Sequence, residues 1–149
     1  MSLLNILAVC FGAGMLLAAQ PAINAALARE LSSGFAAAFV SLLVSALLAL
    51  PFALRDADAF RAEALAAAPA WVWLGGVAGA VFVTAGAFFV PRIGVAFFFS
   101  CIIAGQLLAA AVIDHYGLFG TALRAFDLPR AIGLALVLTG VLVFRLAKG

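Results

Sequence analysis

Apolar residues form five long runs along the chain, and the short stretches between the runs hold almost all of the charges. Each run is close to the ~20 residues that a helix needs to cross a hydrocarbon layer of roughly 30 Å. None of the runs alternates polar and apolar residues as the strands of a membrane barrel do. The pattern predicts five transmembrane helices, at about residues 3–27, 35–54, 71–90, 95–113 and 130–146.

Two of the connections carry local structural signals. Only Pro91-Arg92-Ile93-Gly94 separates the third run from the fourth, so we expect an antiparallel helix pair with Arg92 at the membrane surface. The longer connection from Arg55 to Pro69 predicts a short interfacial helix capped by Asp56 or Asp58.

Composition places the chain in the membrane. Of its 149 residues 68% are hydrophobic and 9% charged, and the mean hydropathy is +1.32. Polar side chains are too few to cover a water-soluble globule, so we expect an all-α integral membrane protein with a single transmembrane domain spanning residues 1–149. The lipid bilayer is then its surrounding partner. The net charge of +2 is spread over short loops, which predicts no nucleic-acid partner.

The first run holds the most suggestive polar pair. No Lys or Arg precedes this run, so we expect it to stay in the mature protein rather than act as a cleavable signal. Gln20 and Asn24 lie one turn apart on one helix face, and Pro21 between them leaves the carbonyl of Leu17 without its helical donor. Two interpretations stay open: the amides form interhelical hydrogen bonds, or they line a substrate path.

Further polar and aromatic candidates lie in the third and fourth runs. Thr84 adds a hydroxyl to the third run, while the fourth carries Phe99, Ser100 and Gln106. Phe99 and Gln106 share a face about two turns apart, so a ring and an amide together are suited to a partly apolar solute. Plain core or lipid contact is the other interpretation of the aromatic residues. The predicted substrate-binding residues are Gln20, Asn24, Thr84, Phe99, Ser100 and Gln106.

Small residues in the third run indicate close helix packing. Gly75, Gly79 and Gly86 fall within about 40° of one another around a helix with ~100° per residue. A stripe of this kind lets another backbone approach. We expect these three glycines to be packing residues.

The sequence Asp114-His115 closes the fourth run. Adjacent helix positions do not face each other, and one His with one Asp is too small a ligand set for a metal. We expect an interfacial cap, with a proton relay as the alternative, and no metal site. Cys10 and Cys101 lie inside apolar runs, where thiols are usually inert. Asp127 is placed to cap the final helix, with Pro129 in its first turn.

Four motifs together resemble a known family. They are Gln20-Pro21-x-x-Asn24, Val90-Pro91-Arg92-Ile93-Gly94, Gly105-Gln106-Leu107 and the segment from Asp114 to Gly120. In order and spacing they resemble the YdcZ-type five-span family of the drug/metabolite transporter superfamily, which is related to the small multidrug resistance proteins. The resemblance implies a multi-pass transporter of the bacterial inner membrane that works as a pair to reach ten helices. The small multidrug relatives use a glutamate in the first helix for proton exchange, and residues 3–27 hold no acid.

The leading functional interpretation is a secondary transporter or facilitator that moves a small organic solute, uncharged or amphipathic, by alternating access. The alternative is a structural or accessory membrane subunit without transport of its own. We do not expect an enzyme, because the chain offers no nucleophile and base pair, and we expect no cofactor.

Charge counting bears on topology. With five spans, the side of the N terminus holds Arg55, Arg61, Arg124 and Arg130, and the other side holds Arg29, Arg92, Arg145 and Lys148. The tally is 4 against 4, so the positive-inside rule selects neither orientation. We therefore expect an antiparallel homodimer, a ten-helix bundle with an inverted repeat.

Overall fold

A computed structural model describes residues 2–56 and 60–146 of the chain. Two 3₁₀ turns, Ala70–Trp73 and Leu118–Gly120, precede the fourth and sixth α-helices. Within the described ranges no strand is present. The α-helices are α1 (Leu3–Glu30), α2 (Gly34–Arg55), α3 (Ala62–Ala67), α4 (Leu74–Ile93), α5 (Val95–Tyr116) and α6 (Leu128–Leu146).

The five long apolar helices predicted from the sequence are confirmed. Each lies within a helical segment that is long and apolar enough to cross a membrane. Helices are the expected outcome, because an apolar chain in lipid must satisfy its backbone N–H and C=O groups internally. Three helices have an N-cap side chain that accepts a backbone hydrogen bond. Ser2 accepts from the amide of Asn5 (3.3 Å), Ser33 from the amide of Ala36 (3.2 Å) and Asp127 from the amide of Arg130 (3.0 Å). The predicted cap at Asp127 is thus confirmed.

Two local predictions were wrong. α4 continues through Pro91, Arg92 and Ile93, so only Gly94 stands between α4 and α5. Its φ of 80° lies in the region that glycine tolerates best. In the longer connection, α3 begins at Ala62 with Arg61 at the N-cap position and no side-chain cap. Asp56 instead ends α2, and Asp58 lies outside the described residues.

The chain divides into two compact units, residues 1–92 and 93–149. In unit 1, α1 packs along α2, and α4 approaches α1 where Gly86 meets Pro21. Among the described residues of both units, five of the eight buried hydrophobic ones are alanines, as is typical of membrane helices whose backbones approach closely. In unit 2, α5 packs along α6. The single-domain organisation expected from the sequence stays a prediction.

Of the three glycines in the predicted stripe of α4, Gly86 lies against another helix of the same chain, whereas Gly75 and Gly79 do not. A Cβ on Gly86 would lie 2.8 Å from the Cβ of Pro21, whereas a Cβ on Gly75 or Gly79 would have nothing within 4 Å. Gly86 therefore permits the crossing of α1 and α4. The packing role of Gly75 and Gly79 stays a prediction that needs a second chain.

Replacing Gly86 with alanine is expected to lower the free energy of unfolding by about 1–3 kcal/mol, as overpacking does elsewhere. The cost arises because the rigid pyrrolidine ring of Pro21 cannot turn away as a flexible side chain would. Gly76→Ala, where a Cβ would have nothing within 4 Å, is the matched control on the same helix, and it should be neutral or slightly stabilising. Unfolding of both variants in detergent, followed by circular dichroism, makes the comparison; equal stability would remove Gly86 from the crossing.

Candidate functional site

The predicted substrate-binding residues fall in both units. Gln20, Asn24 and Thr84 belong to unit 1, and Phe99, Ser100 and Gln106 belong to unit 2.

The polar pair of α1 lies at the crossing with α4. α1 runs unbroken through Pro21, which is fully buried, while Gln20 is half-buried. Asn24 is only 4% exposed, and its Nδ2 has no hydrogen-bond partner among the described residues. A buried donor without a partner costs about 1–3 kcal/mol. The crossing of α1 and α4 therefore retains a buried donor without a partner among the described residues.

Thr84 lies beside an apolar groove on unit 1. The groove has a volume of about 530 Å³, and its wall includes Phe35 of α2 with Val81, Phe88 and Phe89 of α4. The rings of Phe35 and Phe88 meet edge to face with centroids 4.9 Å apart. Gly34 allows this approach, since a Cβ there would lie 2.8 Å from the Phe88 ring. The sequence indicated Thr84, but the groove depends on contacts between distant residues and was missed.

The three candidates of α5 differ in what they have available for a ligand. The hydroxyl of Ser100 donates to the carbonyl of Phe97 at 2.8 Å, so its oxygen is left to accept. Phe99 is half-buried and meets Phe98 edge to face, with centroids 5.6 Å apart. Gln106 is exposed on the single chain. An exposed amide in an apolar span needs a partner from outside the described chain.

Asp114 and His115 hold the following connection against the end of α5. The carbonyl of Asp114 accepts from the Arg124 amide at 2.8 Å, and its carboxylate lies 3.6 Å from the Arg130 guanidinium. Nδ1 of His115 accepts from the amide of Phe126 at 3.2 Å, which assigns the proton of the neutral imidazole to Nε2. Both neighbours therefore act on the loop, although adjacent residues do not face each other on a helix.

Local conformation brings that loop back to α5. α5 ends at Gly117, whose φ of 59° is left-handed, a common way for a glycine to end a helix. Asp127 then fixes the start of α6 and places Arg130 in its first turn. The sequence predicted the cap but missed the Asp114–Arg130 pair, because the pair forms only after the chain has turned. Among the described residues, no cluster of three His, Cys, Asp or Glu side chains could hold a metal ion.

Replacing His115 with phenylalanine is expected to speed hydrogen exchange at the Phe126 amide by about fivefold, because the loss of one exposed hydrogen bond costs about 1 kcal/mol. Asp114→Asn should have a smaller effect, since Arg130 and Asp114 are 35% and 39% exposed and such pairs contribute about 0–1 kcal/mol. Exchange measured by mass spectrometry on peptides from 117–127 tests both. Tyr116→Phe, next along the helix, is the control, and equal exchange in the His115 variant and the control would show that the loop does not depend on His115.

The sequence comparisons identify one family. Residues 3–143 match the family DMT_YdcZ, described as "Putative inner membrane exporter, YdcZ". The match reaches from α1 into α6 and confirms the family expected from the four sequence motifs. A comparison with curated proteins and one with solved structures each found no match.

Proposed function

The chain belongs to the YdcZ family of the drug/metabolite transporter superfamily, and we propose that it is a small secondary transporter or facilitator for a small organic solute. With five spans and this family match it is a multi-pass inner membrane protein. The match favours a transporter over an enzyme. In the proposed mechanism the solute is uncharged or amphipathic and crosses by alternating access.

The observation that carries this proposal is the buried amide of Asn24. Its Nδ2 lacks a partner among the described residues, although a donor within a membrane protein gains more from a partner than one in water. An amide that only held helices together would have that partner in the resting chain. The unpaired donor suits a solute with a carbonyl, hydroxyl or ether oxygen.

Gln20 and Thr84 extend the proposed path within unit 1. Gln20 lies one turn before Asn24 on α1, and Thr84 lies two residues before Gly86, which contacts Pro21. Uncharged groups of this kind orient a neutral polar solute without the desolvation cost of an ion pair. We include Phe99, Ser100 and Gln106 of α5 in the proposal on the basis of their chemistry.

The proposed working form is an antiparallel homodimer. No residue of α6 is buried in the single chain, Gln106 is exposed, and Gly75 and Gly79 face open space. These surfaces suit a second copy, because small residues and amides mediate helix association in lipid. Two copies inserted in opposite directions form an inverted repeat, a common basis of alternating access.

A ligand screen followed by a flux assay tests the proposal. Purified protein is heated with neutral and amphipathic metabolites, and a solute present at 100 times its Kd should stabilise the fold by about 2.7 kcal/mol. Solutes that stabilise the protein are then loaded into proteoliposomes, and their release is compared with release from protein-free vesicles. Ser45→Ala serves as a control variant outside the proposed path, because the Ser45 hydroxyl bonds the carbonyl of Ser41 in its own helix. It should release the same solutes at the rate of the native protein. A broad screen without stabilisation or flux would instead support the accessory-subunit alternative.

A further inference from the structure

Unit 1 carries a positively charged recess next to its apolar groove. The recess has a volume of about 300 Å³ and is lined by Arg29, Ser32 and Ser33 at the α1–α2 turn and by Pro91 and Arg92 at the end of α4. Phe88 and Arg92 line both the groove and the recess, so the two adjoin. We call this second site the arginine recess.

The charges of the arginine recess are not compensated within the described chain. Arg29 and Arg92 are exposed, and the side chain of neither has an ion pair or a hydrogen bond among residues 2–56 and 60–146. Two guanidinium groups beside one recess repel each other, and an anion bound there relieves the repulsion. Their planar, multiple N–H donors match the oxygens of a phosphate.

The dipole of α2 and a serine hydroxyl add to the positive potential of the arginine recess. α2 has 22 residues and begins at Gly34, directly after its N-cap Ser33, so the positive end of its dipole lies at the recess. The Ser33 oxygen accepts from the Ala36 amide, which leaves the hydroxyl proton free to donate. The recess therefore offers several donors and, among the residues that line it, no carboxylate.

The groove supplies the complementary apolar surface. Val81 and Phe89 of its wall are 62% and 48% exposed on the single chain, so the groove is accessible from the side of the helices rather than enclosed. In a bilayer that side is in contact with acyl chains. A ligand that fits both sites has a negatively charged head and a long apolar tail.

We propose that unit 1 binds an acidic phospholipid of the surrounding bilayer, with its phosphate in the arginine recess and one acyl chain along the groove. Basic pockets beside membrane helices are typical sites for anionic headgroups. Thr84 of the proposed solute path also lines the groove. Lipid binding is measured without a transported solute, so failure of the lipid site and failure of the proposed transport remain distinguishable.

Lipid retention by the purified, delipidated protein tests the proposal. Phosphatidylglycerol and phosphatidylcholine with identical acyl chains are titrated in mixed micelles, and bound lipid is counted by native mass spectrometry. Glycerol 3-phosphate, a soluble head without a tail, forms the third arm. We expect saturable binding of phosphatidylglycerol alone. Equal retention of the two lipids would show that charge is not recognised, and equal binding of glycerol 3-phosphate would show that the groove has no part; either result overturns the proposal.

Charge variants locate the headgroup. Arg29→Gln and Arg92→Gln should each weaken phosphatidylglycerol binding about fivefold, since a Lys or Arg near an anionic surface contributes about 1 kcal/mol. The double variant should lose more than either single variant, although two arginines that share one phosphate need not contribute additively. Arg29→Lys and Arg92→Lys should restore part of the loss. Arg145→Gln is the control, because span counting puts it on the same side of the membrane as the other two and it removes the same charge there. A loss in the control as large as in the recess variants would overturn the assignment.

Groove variants locate the acyl chain. Ala85 lines the groove, so Ala85→Phe should fill it and reduce phosphatidylglycerol retention at least about fivefold, whereas Ala78→Phe, on the exposed part of α4 outside the groove, should not. Size-exclusion chromatography confirms folding and oligomeric state. If Ala85→Phe leaves lipid retention intact and instead disrupts the dimer, the groove is an interface between copies and the proposal is wrong.

Discussion

Replacing Asn24 with leucine is expected to reduce solute flux about tenfold or more while making the protein more stable. Leucine has nearly the shape of asparagine but no donor to leave unpaired, so unfolding should require about 1–3 kcal/mol more free energy. The solute loses its hydrogen bond to Nδ2, which accounts for the loss of flux. Flux in proteoliposomes and unfolding in detergent measure the two effects on the same preparation.

The matched control is Asn5→Leu, the same substitution at an exposed position near the start of the same helix. It should change neither flux nor stability by much. An Asn24→Leu variant that transports normally would remove Asn24 from the path. A variant that is strongly destabilised or fails to assemble would show that the amide joins helices after all, which is the other interpretation of the Gln20 and Asn24 pair.

Three lysines added after Gly149 are expected to place every copy in one orientation and reduce flux to background. The native tally of Lys and Arg, 4 against 4, becomes 4 against 7, and the positive-inside rule then fixes the C terminus in the cytoplasm. A population with one orientation cannot form the proposed antiparallel dimer. Cysteine labelling of the tail from each side of the membrane, after Cys10 and Cys101 are changed to serine, measures orientation.

The control for this experiment carries three glutamines in place of the three lysines and should behave as the native protein. A partner copy with Asp56→Lys and Glu63→Lys, which adds two positive charges to the opposite side, should restore flux when the two are expressed together. A native C terminus found on one side in nearly all molecules would refute dual insertion. Full flux from the lysine-tagged copies alone would refute the antiparallel dimer.

The spans could be predicted from the sequence because in lipid an apolar run has almost no other way to satisfy its backbone. The Asp127 cap was predictable for a similar reason, since it depends on residues within one helical turn. The link between α4 and α5 around Pro91 could not be predicted correctly in this way. The motif predicts that α4 ends before Pro91, yet the missing donor of proline disturbs only one bond near the end of the helix, and the chain turns at Gly94 instead.

The candidate site was predictable only in part. Helical periodicity gives the shared face of Gln20 and Asn24, but the lack of a partner for Asn24 depends on which groups the neighbouring helices present. The groove and the arginine recess join residues from α1, α2 and α4, a combination that no single stretch of sequence contains. Arg92 was accordingly interpreted from its own span as a surface charge alone.

The position of the boundary between the units also affects how the protein is made. The contacts that hold unit 1, from Pro21 to Gly86 and from Gly34 and Phe35 to Phe88, involve only residues before Arg92. The ribosome has synthesised all of them before α5, and domains generally fold as units while synthesis proceeds. His115, in contrast, must wait for Phe126 to be added to the chain before its hydrogen bond can form. The first three spans therefore have their packing partners without α5 or α6, and a chain truncated after Gly94 and released from the ribosome should already protect these spans from protease.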